Sequence, residues 1–188
     1  MRTLSLAALT VTPDETIRAS QTWLEKAVIG LNLCPFAKAV HLKHQIRWVA
    51  SLAHDEAALR LELLRELELL RDTPPEQIDT TLLIHPFVLG HFDDYNHFLD
   101  TADAALRQLG LEGVIQIASI HPEYRFAGSD ADDIDNFSNR SPFPTLHLLR
   151  ESSIDKAVEA FPDAADIYER NIETLRRLGH PGWKRLWV

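Results

Sequence analysis

Two apolar runs in this chain, Thr80–Ile84 and Gly113–Ile120, end in the same dipeptide, His85-Pro86 and His121-Pro122. Proline has no N–H for a ladder and holds the residue before it extended, so each pair reads as the end of a strand. Between the runs lies a helical pattern, Asp93–Leu109, with Phe92, Tyr95, Phe98, Leu99, Ala102, Leu106 and Leu109 on one stripe and Gly110 closing it. Strand, helix, strand in this order favours parallel pairing through a crossover. Both histidines then fall on one carboxyl edge of a sheet, the edge at which open α/β sheets place ligands.

The flanking sequence extends the alternation. Thr12, Pro13 and Glu15 form an N-terminal signature, and Ile17, Leu24, Ala27, Val28 and Leu31 follow on one face until the pattern fades at Gly30–Leu33. An apolar stretch at Ile46–Ser51 precedes a long helix from about His54 to Arg71, stopped by Thr73-Pro74-Pro75. Beyond His121 a polar loop runs from about Glu123 to Ser141, then a last strand, Pro144–Leu149. A short helix, Ser153–Ala160, and a terminal helix, Asp163–Leu178, complete the chain, with Gly179 as stop and Pro181 beyond. The expected fold is α/β (or α+β): one domain over residues 1–188, with a central sheet of about four largely parallel strands packed by helices. Residues 1–11 are a candidate for a flexible N-terminal segment. A ferredoxin-like sandwich is the alternative, separated from this reading by the direction of the fourth strand.

Charge and composition narrow the function classes. The net charge is −9, which argues against non-specific binding to nucleic acid or an anionic membrane. No window approaches the ~20 apolar residues of a membrane span, and the first residues lack a secretory pattern. Cys34 is the single cysteine, so a reducing, cytoplasmic setting is expected. The seven glycines form neither GxGxxG nor GxxxxGK[ST], so no nucleotide cofactor motif is present.

The chemistry-bearing candidates cluster after the strands. His85 and His121 are candidate general acid/base groups, or strand-end histidines bonded to backbone. The loop interleaves aromatics with Arg125, Asn139 and Arg140, and Arg150 ends the last strand; these four are candidate ligands for an anionic substrate. Structureless loops this long are often functional. The acidic run Asp130–Asp135 fails the EF-hand pattern, because Ile134 and Asp135 stand where an oxygen ligand and a glycine belong. His147 falls on the opposite face from Leu146 and Leu148. His85, His121 and His147, with Glu123 or Cys34, have the donor types for a divalent metal but not the spacing of a helical zinc motif. Cys34-Pro35 is open between two readings. A helix beginning at Pro35 would favour the thiolate, and a first helix running to Leu33 would leave an inert thiol.

Several segments resemble a bacterial protein family of unknown function, domain of unknown function 1415. They are Leu31-Asn32-Leu33-Cys34-Pro35-Phe36-Ala37, Gln116–Pro122, Asn139–Glu151 and Tyr168-Glu169-Arg170-Asn171-Ile172. The resemblance covers nearly the whole chain and implies a compact bacterial cytoplasmic protein; it brings no reaction and no catalytic residue. Three functions remain. One is an enzyme, of hydrolase or transferase type, acting on a small anionic substrate. Another is a non-catalytic module for a small anion or an acidic partner. The last is an interaction protein using Trp183 and Trp187, in which a homo-oligomer is one outcome.

Overall fold

The computed structural model describes residues 11–160 and 166–188. The candidate flexible segment, residues 1–11, lies outside the described residues except for Val11, as does the expected start of the last helix at Asp163. No helix among the described residues is long and apolar enough to cross a membrane.

Helix α1, Pro13–Trp23, opens on a capping box: Glu15 N donates to the Thr12 side chain, and the Glu15 carboxylate accepts from Thr12 N at 2.9 Å. The helical run continues to Gly30, where the sequence pattern fades. The chain widens into a π-helical stretch, Leu24–Ile29, that buries Leu24, Ala27 and Val28. Gly30 follows, where a Cβ would lie 2.3 Å from the Lys26 carbonyl oxygen, so only glycine fits the turn. A short helix, α2 (Ala37–Leu42), leads to strand β1, Ile46–Ala50. Helix α3, Glu56–Asp72, is capped by Asp55, which accepts from Ala58 N at 2.8 Å. Its Leu59, Leu63, Leu67 and Leu70 are fully buried. The carboxylate of Glu66, on the same helix, accepts from Arg47 of β1 at 2.6 Å.

Strand β2 is Thr80–Ile84, helix α4 is Phe92–Leu109, strand β3 is Ile115–Ile120 and strand β4 is Thr145–Arg150. Helix α4 ends where Gly110 takes a left-handed φ of 64°. The long loop is not structureless: a 3-10 turn, Ile134–Asn139, lies within it. Helix α5 begins at Glu151, two residues before the expected start. Helix α6, Ile167–Arg185, breaks at Gly179 (φ 61°, ψ 171°) as expected but then resumes through Pro181. Proline is tolerated there because the first turn of a helix has no partner for its N–H.

The sheet order is β1-β2-β4-β3. Strands β1 and β2 pair in parallel, whereas β4 is antiparallel to both β2 and β3. The expectation of a largely parallel sheet is therefore corrected: β1, β2 and β3 share one direction, but β4 enters between β2 and β3 and makes two of the three pairings antiparallel. The connection after β3 is a long loop with one 3-10 turn and no crossover helix, so β4 returns beside β3 as an antiparallel neighbour. The ferredoxin-like order β-α-β-β-α-β is not adopted either, since from β1 onward the order along the chain to β4 is β-α-β-α-β-β.

One face of the sheet, with Leu83, Leu146 and Leu148, packs on α3 and α4. The other, with Leu82, Ile84 and Ile120, packs on α1, the π-helical stretch and Trp183 of α6. At the edge the two histidines share, Tyr95 of α4 is fully buried. Its hydroxyl donates to the Thr145 carbonyl at 2.8 Å and accepts from Ile120 N at 3.0 Å, tying β4 and β3 together. Tyr95→Phe keeps the ring but leaves the Ile120 N–H unpaired in the core. Urea unfolding should show a loss of about 1–3 kcal/mol.

Candidate functional site

His85 and His121 stand one residue beyond β2 and β3, on the same edge. Ile84 and Ile120 both register with Thr145, so the two histidines flank the start of β4 from either side. Backbone bonds hold them there: His85 N donates to Pro144 O at 2.9 Å and His121 N to Asn139 O at 3.1 Å. Both side chains are 0 % exposed. Tyr95 packs against both, 5.8 Å from His85 and 5.0 Å from His121 between ring centroids.

The two imidazoles carry opposite tautomers, fixed by their neighbours. His85 Nδ1 lies 3.0 Å from Val88 O. A carbonyl only accepts, so Nδ1 carries the proton and Nε2 holds a lone pair. That Nε2 is buried and has no hydrogen-bond partner. His121 is the reverse: Nε2 donates to Leu89 O at 3.1 Å, and Nδ1 accepts from Glu123 N at 3.0 Å. Every polar atom of His121 is used, whereas His85 has one to spare. Burial lowers the pKa of both, that of His85 to about 4, and the nearby His121 contributes to the latter.

The two acceptors, Val88 and Leu89, belong to one short connection between β2 and α4. Leu89 adopts φ 59°, a left-handed conformation costly for a residue with a Cβ. His54 stacks on Phe87 in the same connection, with centroids 4.9 Å apart. Val88 and Leu89 form a wall of a cleft of about 680 Å³ that Asp55, Glu56, His91 and Asp94 also line. The cleft thus sits between the N-termini of α3 and α4, with carboxylates on its rim.

The arginines do not converge on this cleft. Arg125 pairs with Asp93 at 2.9 Å. Arg140 donates to the carbonyls of Tyr124 and Ala131 and lies 4.3 Å over the Phe137 ring. Asn139 donates to Ser119 O at 3.2 Å. Arg150 ends an antiparallel strand and therefore sits at the opposite edge, where it donates to the carbonyls of Leu70, Thr73 and Ile78. The first three order the loop, together with Asn136, which binds Phe126 N, Ser129 Oγ and Asp130 O. Arg150 closes the C-terminal end of α3.

The histidine trio is likewise divided. His147 registers with Leu82, on the face opposite His85. The single hydroxyl proton of Thr80 goes to Leu148 O at 2.7 Å, so His147 Nε2 donates to Thr80 Oγ1 at 2.8 Å. Burial lowers the His147 pKa to about 4. Among the described residues no group of three His, Cys, Asp or Glu side chains is placed to hold a metal ion. At Cys34, burial raises the thiol pKa despite the amides of Phe36 and Ala37 beside it. The short helix α2 starts at Ala37 with Phe36 as its N-cap, two residues past the expected start at Pro35, so Cys34 is not the capping residue, and burial favours the protonated thiol.

Sequence reasoning missed Leu89 altogether, since nothing in a leucine announces a left-handed φ. It placed Tyr95 on the core stripe without its bridging role. A buried tyrosine must find a partner for its hydroxyl, and that was the available signal. The pH dependence of folding follows from His85. Below about pH 6.5 the unfolded chain takes up a proton that the folded chain refuses until about pH 4. Stability is therefore flat above that window and falls as the pH drops through it, by up to about 1.4 kcal/mol per unit from this group. His85→Asn keeps a donor toward Val88 O and should remove that part of the slope in urea titrations across the window.

No curated protein and no solved structure matches the chain. A family model, "Protein of unknown function (DUF1415)", matches residues 15–185. The chain belongs to that family.

Proposed function

We propose that the cleft at the carboxyl edge is a small-molecule site in which His85 Nε2 accepts a hydrogen bond or a proton from the ligand. The observation that carries this reading is the unpartnered, fully buried Nε2 of a ring whose other nitrogen bonds Val88 of the cleft wall. An unsatisfied buried polar atom is rare in a folded chain and calls for an explanation. His85 is one bond behind the surface, because its other nitrogen holds Val88, part of the wall. Access needs the Val88–Leu89 segment to shift, and the strained Leu89 is a natural hinge for it. His121, fully used in holding Leu89 and Glu123, is the positioning residue.

The ligand class follows from the lining. Asp55, Glu56 and Asp94 disfavour an anion, and Arg125, Arg140 and Arg150 are engaged elsewhere. The site suits a neutral or cationic molecule with an O–H or N–H donor. Burial holds His85 neutral near pH 7. It is therefore ready as an acceptor, but it is a weak general base until a ligand's charge raises its pKa. That favours the binding module as the first reading. A hydrolase or transferase, with His85 activating a bound hydroxyl, is the second.

Imidazole ¹⁵N NMR tests the proposal directly. In the free protein His85 Nε2 should show an unprotonated, non-bonded shift. Among small alcohols, amines and carboxylates, binders should be alcohols or amines that move His85 Nε2 and the amides of Val88–His91. His85→Asn should keep the fold and lose the binding. Ligands that leave Nε2 unmoved, or bind the variant as well as the native chain, would sink the reading.

A further inference from the structure

A second cleft, of about 480 Å³, lies between the turn after the π-helical stretch and helix α6. Its helical wall presents Arg170, Glu173, Thr174 and Arg177. Residues spaced three, four and seven apart form one stripe of a helix, so these side chains share a face by construction. Arg176, next in sequence to Arg177, points elsewhere and makes a two-point pair with Asp135 at 3.0 and 2.6 Å.

The opposite wall is unusually shaped. The π-helical register ends at Gly30, whose N–H bonds Glu25 O at 3.0 Å. Asn32 then takes φ 54°, a left-handed conformation. π-Helical turns and left-handed non-glycine residues both cluster at functional sites. Asn171 donates to Leu33 O at 2.9 Å and clamps the turn to α6, which fixes the width of the cleft. The side chains of Asn32, Thr174 and Arg177, all in the lining, donate to no other described residue. The Arg177 guanidinium is the cationic group that the lining offers to a ligand, with Glu173 beside it on the same stripe.

We infer that this cleft is an oxyanion site, in which Arg177 with Asn32 and Thr174 binds a carboxylate or phosphate group of a small molecule. A guanidinium fork matches either group with two parallel bonds, and the amide of Asn32 and hydroxyl of Thr174 supply single donors beside it. Glu173 opposes the ligand and sets an upper limit on the affinity. The inference concerns residues that the carboxyl-edge cleft does not use, so either can fail without the other.

Backbone NMR on the full chain tests it, with inorganic phosphate and succinate as separate probes and sodium chloride at matched ionic strength as the reference. At least one probe should give saturable shifts at Asn32, Asn171, Thr174 and Arg177, and the tighter of the two identifies the group. Arg177→Gln should weaken that binding about tenfold, the loss expected for one charged hydrogen-bonded contact. Glu173→Gln should strengthen it, an outcome that damage to the fold would not produce. Shifts no larger than those from chloride, or a response unchanged in both variants, would overturn the inference.

Discussion

The insertion of β4 between β2 and β3 is the constraint on which the rest of the molecule depends. Its first residue, Thr145, registers with the last residue of both neighbours. One strand end therefore sets the spacing of the two His-Pro corners. The same insertion carries Arg150 to the far edge, where it closes the end of α3. A parallel fourth strand would have reversed both outcomes. Tyr95 completes the arrangement by joining β3 and β4 through one hydroxyl, so that the edge is bound by backbone ladders on the outside and by a single phenol within.

The two histidines answer the same local sequence with different chemistry. Each sits before a proline, in extended backbone, at the end of an apolar strand. What differs is which backbone group each ring meets. His121 meets a carbonyl on one side and an N–H on the other, so both nitrogens are satisfied. His85 meets only a carbonyl, and its second nitrogen is left with a lone pair in the core. Burial disfavours the charged form of both, because an imidazolium there would lose its hydration, and at His121 the Glu123 carboxylate offsets part of that cost. The asymmetry distinguishes a ring with both nitrogens bonded from one with a lone pair left over.

Two arginines of this protein, Arg140 and Arg150, act as cross-links between backbone segments. Each collects carbonyls from separate points of the chain, using the several donors of one guanidinium to close a loop or a helix end. That use explains why a loop rich in arginine and asparagine is an ordered wall. Arg177, whose side chain donates to no other described residue, lies elsewhere, on the stripe of α6 that faces Asn32.

The sequence by itself determined what depends on neighbours a few residues away. The capping box at Thr12 and Glu15, the long helix expected from about His54 to Arg71 and found at Glu56–Asp72, the stop at Gly110 and the two His-Pro strand ends were all legible, because caps, propensity and proline geometry act within a turn or two. It also put His147 on the face opposite Leu146 and Leu148, since alternation is a local property. It could not decide the direction of β4, the partners of Arg125, Arg140 and Arg150, the tautomers of His85 and His121, or the left-handed turn at Leu89. Each of these depends on contacts between segments far apart in the chain. Only the folded backbone decides which carbonyl stands beside which side chain, and with it which imidazole nitrogen keeps its lone pair.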